Sequence, residues 1–262
     1  MSSSERFGFA WSRFPKIVPE HEQFFRCWVA GLTPDDFRGK TILDAGCGIG
    51  RNSFWPLKYG ATKVVAFDLD PRTVRVAQKN LSFTNRATVL NQSIYEITYQ
   101  ENFDIVLSIG VVHHLKDPGH AMANLVRAAR PGGTVLVWVY AYEGHTLVKR
   151  IVNAVRLVTS QMPVQLAELL TVPFSLLFFA YVRLWPHPHP YLRLLRHARF
   201  WHVHSILFDQ LLPEISNYWN REQVLALFKN LPVTDVEIRF CNEGSWAVWA
   251  RKQTTPKPAS GD

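Results

Sequence analysis

The sequence predicts an α/β fold: a doubly wound, mostly parallel sheet of seven strands that carries a helical insertion. Three observations predict it. Short apolar, β-rich runs alternate with stretches of helical spacing through the first half, which is the pattern of a parallel sheet with helical crossovers. A glycine-rich turn directly follows the first of these runs, at the strand ends where such sheets hold ligands. Two further strand-like runs near the end of the chain read as a hairpin that closes one sheet edge.

The elements follow in order. Residues 41–44 form a short apolar strand that ends in an acid, and the turn and a helix to about Tyr59 come next. Residues 63–68 (KVVAFD) are the second strand. Residues 71–80 are the second helix, with Pro71 suited to its first turn. Residues 87–90 and 103–109 are the third and fourth strands, and 118–129 is a helix stopped by Pro131-Gly132-Gly133. Residues 134–140 (TVLVWVY) complete the five parallel strands, and 221–228 is a helix before the hairpin strands at 233–240 and 245–251. This divides the chain into an N-terminal lead over the ligand site (1–39), a binding core (40–142), a helical cap (143–213), a C-terminal helix and hairpin that complete the sheet (214–252), and a disordered tail (253–262).

Composition narrows the function classes. With 47% hydrophobic residues, 9 Trp and 17 Phe, the chain has the material for a packed core, unlike a disordered protein. Cys27, Cys47 and Cys241 are far apart in sequence, which supports neither a disulfide framework nor a zinc ribbon and favours a reduced, cytoplasmic setting. The first residues lack the apolar stretch of a signal peptide. A formal charge of +8 favours anionic partners without naming one.

The strongest chemical signal is DAGCGIG (residues 44–50). Glycine at every second position lets the backbone turn tightly and approach a ligand closely. The spacing G-x-G-x-G differs from the G-x-G-x-x-G that seats a dinucleotide pyrophosphate. With Asp44 just before it, the turn suits a ligand that has a cationic amino acid part and no phosphate, such as S-adenosylmethionine (SAM). Asp68, at the end of the second strand, can accept hydrogen bonds from a ribose diol.

In order and spacing, ILDAGCGIG, VVAFDLD, FDIVLSIGVVHHLKDP and RAARPGGTVLVWVY resemble the motifs of class I SAM-dependent methyltransferases with a Rossmann-like fold. The likeness is to the small-molecule, type 11 branch that includes quinone-ring enzymes. It covers residues 40–142. FGFAW (7–11) and FDQLLPEISNYWNREQV (208–224) more weakly resemble a bacterial subgroup with an aromatic N-terminal lead and a C-terminal cap. The resemblance implies SAM as cofactor. It implies that Gly46, Cys47, Gly48 and Gly50 line its methionine part and that Asp44 orients its ammonium group. Asp68 would hold the ribose, with Leu69 beside the adenine, while Ile109 and Gly110 would lie near the sulfonium. Trp11 would belong to the lead over this site, and Arg13 and Arg51 are candidates for the SAM carboxylate. Where the family has a Gly-Asp pair that contacts the adenine, this chain has Gln92-Ser93. Ser93 can still accept a hydrogen bond but carries no charge, so weaker SAM binding is expected.

Transfer to oxygen or nitrogen often needs a base. His113 and His114, which follow the fourth strand, are the candidates, with His114 ahead, and the alternative for both is a structural role, packing or capping a helix at this turn. The pairs His187/His189 and His202/His204 have no Cys or nearby carboxylate to join them, so no metal site is expected. Residues 145–213 carry seven Lys or Arg against Glu168 and Asp209, with an uncharged apolar run at 169–182. Pro173, Glu168 and Arg183 interrupt or bound that run, which argues against a membrane span. Two readings remain for this region: a buried cap over an acceptor pocket, or an interfacial helix that docks on anionic membrane. Both imply a lipophilic or amphiphilic small-molecule acceptor. Nucleic acid is not expected, because the position after the fourth strand reads Ser108-Ile109-Gly110-Val111 and lacks the Pro-Pro motif of base methyltransferases. The alternatives are an enzyme that uses SAM for another reaction, or a SAM-binding adaptor without turnover.

Overall fold

The computed structural model describes residues 2–144, 146–186 and 190–254. Seven strands form one sheet: β1 (Thr41–Ala45), β2 (Lys63–Asp68), β3 (Ala87–Asn91), β4 (Phe103–Ile109), β5 (Ala129–Tyr140), β6 (Val233–Cys241) and β7 (Ser245–Lys252). Their order is β3-β2-β1-β4-β5-β7-β6. β1 to β5 pair in parallel, and β7 lies antiparallel between β5 and β6. β1 and β4 are buried along almost their whole length, which is why they read as unbroken apolar runs rather than alternating ones. The strand order reverses between β1 and β4, which opens a crevice at their carboxyl ends.

Helices cover both faces of the sheet. α4 (Arg51–Lys58) and α5 (Pro71–Leu81) pack with α2 (Glu20–Trp28) and α3 (Pro34–Phe37) on one face, around Phe25, Phe37, Ile42, Val64 and Leu107. α6 (Pro118–Ala128) and α11 (Arg221–Ala226) cover the other, around Leu43, Val106, Met122 and Val137. α1 (Ser3–Arg13) begins with a capping box between Ser2 and Glu5. It packs against α8 (Val164–Leu184) and α10 (Phe200–Asp209) through Ala10, Val164, Ala167 and Phe208. α7 (Thr146–Thr159) and α9 (Pro190–Leu195) complete the helical region above the crevice.

Two local readings of the sequence are corrected. β5 begins at Ala129, before Pro131-Gly132-Gly133, and a register shift between Phe103 and Ile105 on β4 absorbs that irregular segment. α8 runs unbroken through Glu168, Pro173 and Arg183 for 21 residues and is long and apolar enough to cross a membrane. A proline removes one helix hydrogen bond and crowds the preceding turn. Here neighbouring hydroxyls engage nearby carbonyls: Thr171 Oγ1 donates to Ala167 O (2.6 Å) and Ser175 Oγ to Thr171 O (2.9 Å). His187, His189 and the tail from residue 255 lie outside the described residues.

Candidate active site

The turn after β1 is built for close approach. Gly46, Gly48 and Gly50 all have positive φ (77°, 55° and 82°). A Cβ on Gly46 would lie 2.4 Å from Val111, so the turn and the loop after β4 touch there. The turn is tied to the end of β2 because Gly48 N donates to Asp68 Oδ2 (2.9 Å). Asp70 N donates to the other Asp68 oxygen (3.2 Å), and Asn91 Nδ2 donates to the Asp68 and Leu69 carbonyls. Burial pushes the Asp68 carboxyl up, and the Gly48 and Asp70 amides oppose that shift.

One cavity of about 1240 Å³ runs from this turn into the helical region. That exceeds the ~300–1,000 Å³ usual for a single ligand, so it has room for a cofactor and an acceptor together. Gly46, Cys47, Gly48, Asp68, Leu69, Ser93, Ile109, Gly110, Trp11 and His114 all lie on its wall. Ser93 Oγ accepts from Tyr95 N (3.2 Å). Gly110 has φ 80° and donates its N–H to Trp138 O (3.0 Å).

Four residues stand elsewhere. Gly50 caps α4 and faces Leu81 and Ala77. Asp44 lies beneath the turn, fully buried, with Oδ2 accepting from Ser53 Oγ (2.6 Å). His113 is fully buried behind the wall, and burial pushes its imidazole well below the usual range. Arg13, the candidate for the SAM carboxylate, is 59% exposed and pairs with Glu168 Oε1 (3.1 Å), off the cavity wall. The cation on the wall is Arg51, stacked over the rings of Trp11 (5.3 Å) and Trp28 (4.9 Å).

The wall of the cavity also holds polar groups that the sequence reading did not assign to the site. Tyr140, Tyr191, His202, Asp209, Gln210 and Tyr218 line it. Gln210 Nε2 donates to Tyr140 Oη (2.8 Å), and Tyr140 stacks on Tyr218 (5.6 Å, 20°). Asp209 Oδ1 is buried without a hydrogen-bond partner. Burial pushes its carboxyl up to about 7, and the nearby Arg51 charge pulls the other way. The signal in the sequence was Asp209 itself, an acid inside a basic, apolar segment. The two His-x-His members that are described face different ways: His202 Nδ1 meets His21 Nε2 (3.0 Å), and His204 Nδ1 meets Ser175 Oγ (2.8 Å).

Residues 43–137 match the family model described as a methyltransferase domain. That segment is a methyltransferase domain of the class I SAM-dependent type. A tRNA U34 carboxymethyltransferase from Idiomarina loihiensis is 31% identical to this chain over 117 residues, which is 42% of this chain and 36% of that protein. A mitochondrial ubiquinone biosynthesis O-methyltransferase from Dictyostelium discoideum is 27% identical over 111 residues, 38% of this chain and 35% of that one. The chain thus spans about a third of the length of the curated relatives it matches. Magnesium protoporphyrin IX methyltransferase from Synechocystis PCC 6803, solved with bound SAH, shares the fold with a TM-score of 0.56 and 16% identity over 93% of each chain.

The residues of this site fit the cofactor of the methyltransferase domain family. Asp44 Oδ1 and Asn52 Oδ1 are buried without partners beside the glycine turn, and Asn52 lines the cavity. An ammonium group seated on the turn answers such a need for donors. Asp68, on the same wall, keeps lone pairs for a diol.

Proposed function

We propose that this chain transfers the methyl group of SAM to a small lipophilic or amphiphilic acceptor held under the helical cap. The observation that carries this reading is the continuity of the cavity. The glycine turn and Asp68 stand at one end, and Phe174, Phe178, Leu195 and Ile206 wall the other.

When bound, SAM supplies an electrophilic methyl group on a sulfonium sulfur. The chain's part is to hold, dry and deprotonate. Gly46 and Gly48 let the backbone come close, and Asp68 anchors the diol. Asp44 stands beneath the turn to balance an ammonium charge. Gly110, with no side chain, leaves space beside Ile109 for the reacting groups to meet. The apolar walls exclude water, which strengthens every electrostatic contact inside. Asp209, with Arg51 as its nearest opposing charge, takes the proton that an acceptor hydroxyl or amine gives up. His114 packs against Phe7 and Tyr140 as a neutral ring, with Nδ1 donating to Ile215 O (2.8 Å).

The Idiomarina relative's name gives a second reading, transfer of a carboxymethyl group. The mass gained by acceptors decides between them: a CH₂ unit supports methyl transfer, and a carboxymethyl unit overturns it. Calorimetry tests the cofactor end. Wild type should bind SAM and SAH saturably, and Asp68→Ala should weaken both by about 10- to 100-fold, the loss expected for hydrogen bonds to a charged group. No saturable heat for wild type at millimolar SAM would end the reading.

A further inference from the structure

We infer that the outer face of α7 and α8 docks this methyltransferase on an anionic lipid bilayer. Four observations carry this.

First, α8 is apolar outward and polar inward. Leu169, Phe174, Leu177 and Leu184 are 67%, 68%, 71% and 76% exposed. Between Glu168 and Arg183 the only polar side chains short of Tyr181 are Thr171 and Ser175, and both are buried and hydrogen-bonded within the fold. The side chains of the outer face over residues 169–180 therefore offer no hydrogen bond. A protein partner makes about one hydrogen bond per 100–200 Å² of interface. Hydrocarbon makes none.

Second, the charge fits. Arg150, Arg183, Arg193, Arg196 and Arg199 are exposed in this region. Glu168 is the only acid in residues 146–186, and it is held by Arg13. Basic residues beside an apolar face attract anionic headgroups. Third, exposed Tyr181 and Trp185 stand at the C-terminal end of the face, where an apolar ring with a polar edge suits the interface.

Fourth, the cavity opens on this face. Ile151, Val155 and Val158 of α7, with Leu170 and Phe174 of α8, both line the cavity and are exposed. A lipophilic acceptor can pass from bilayer to cavity along apolar side chains. This entry route rests on the methyl-transfer reading, whereas docking itself does not.

The helix lies on the membrane rather than crossing it. Val164, Ala167, Thr171, Ser175 and Val182 repeat at helical spacing and are buried, and the stripe packs on α1, α2, α9 and α10. A helix tied to the protein along one side cannot be surrounded by lipid. An interfacial helix needs only its outer face in the acyl boundary.

Vesicle flotation of the full chain tests this. The protein should float with phosphatidylcholine vesicles that contain phosphatidylglycerol and not with phosphatidylcholine alone, and high salt should weaken flotation. Leu169→Ser/Leu177→Ser should cut flotation at least tenfold while leaving the melting temperature and SAM binding unchanged. Should that double variant fail to fold, Arg193→Gln/Arg196→Gln, on exposed side chains, must still reduce flotation. No flotation with either lipid overturns docking, and equal flotation with both overturns the anionic requirement. Sedimentation showing a dimer that Leu169→Ser/Leu177→Ser dissociates, with no vesicle binding, gives the face to a second copy. Loss of SAM binding in a wild type that still floats would sink the functional reading and leave docking intact.

Discussion

Asp209 is the last residue of α10, where the negative end of the helix meets a negative side chain. Burial favours the protonated form and outweighs the Arg51 charge, so the carboxyl is pushed up to about 7. His114 is pushed the other way, to about 4, because burial disfavours its cation. A base works best when its pKa lies close to the operating pH, so the carboxyl outranks the imidazole expected from the sequence. Turnover measured with labelled SAM and a lipid extract should rise with pH through about 7 and then level. Asp209→Asn should lower it by about 10²- to 10⁴-fold, the usual worth of a positioned base, and remove the rising limb. His114→Ala should keep the limb. Loss of the limb in His114→Ala, with Asp209→Asn unaffected, would return the role to the histidine.

The β1–turn–α4 element sets the geometry of the cofactor end, and its tightest point is Gly46. A side chain there must accept a left-handed backbone and push Val111 aside. Strain of this kind costs about 1–3 kcal/mol before the clash is counted. Gly46→Ala should therefore lower the melting temperature by several degrees and abolish SAM-induced stabilisation. Gly48→Ala, whose added carbon would meet only Trp11 at 3.6 Å, should cost less. Equal melting curves for wild type and Gly46→Ala would show that the turn is not so constrained. This element was legible in the sequence because all its chemistry is contiguous: strand, acid, glycines and helix follow one another within residues 41–58. The sheet was legible for a related reason, since its buried strands stand out as apolar runs between turn residues. The acceptor end was not. Arg51, Tyr140, Tyr191, His202 and Asp209 come from separate parts of the chain, and nothing local to any of them announces that the cap folds over the crevice. α8 was misread because Pro173 is a breaker by propensity, whereas the inner stripe packed on the rest of the fold keeps the helix continuous. Arg13 was misplaced because its partner, Glu168, is brought to it only by packing of α1 on the cap.

At the scale of the whole molecule, two carboxyls, Asp44 beneath the glycine turn and Asp209 on the cavity wall, are made harder to ionise by folding. Asp44 is also pushed to about 7, first by burial and then by the charge of Asp68, against the Ser53 hydrogen bond. In the unfolded chain both lose their protons near 3.9. Between about pH 4 and 7 the native state thus binds more protons at these two sites than the unfolded one, and their contribution to the unfolding free energy falls as pH rises through that window. The slope is at most about 1.4 kcal/mol per pH unit for each group while the window is open. Carboxyls held below their usual range, Asp104 beside Thr41 and Arg130 among them, act in the opposite sense but at lower pH. Five histidines buried wholly or in part, His21, His113, His114, His202 and His204, are held below their usual range, so they add stability as pH rises towards about 6.5 and oppose Asp44, Asp68 and Asp209 in this window. From pH 5 to 7 the cofactor-free protein should therefore lose melting temperature relative to Asp44→Asn/Asp209→Asn, in which the histidine contribution stands without the two carboxyls. The double variant should be the more stable protein at pH 8, because an amide has no proton to lose. This is the cost a fold bears for keeping ionisable groups dry at a reaction site. If the melting temperatures of wild type and the double variant run parallel from pH 5 to 8, the two carboxyls titrate at their ordinary values, and Asp209 is not a base tuned to neutral pH.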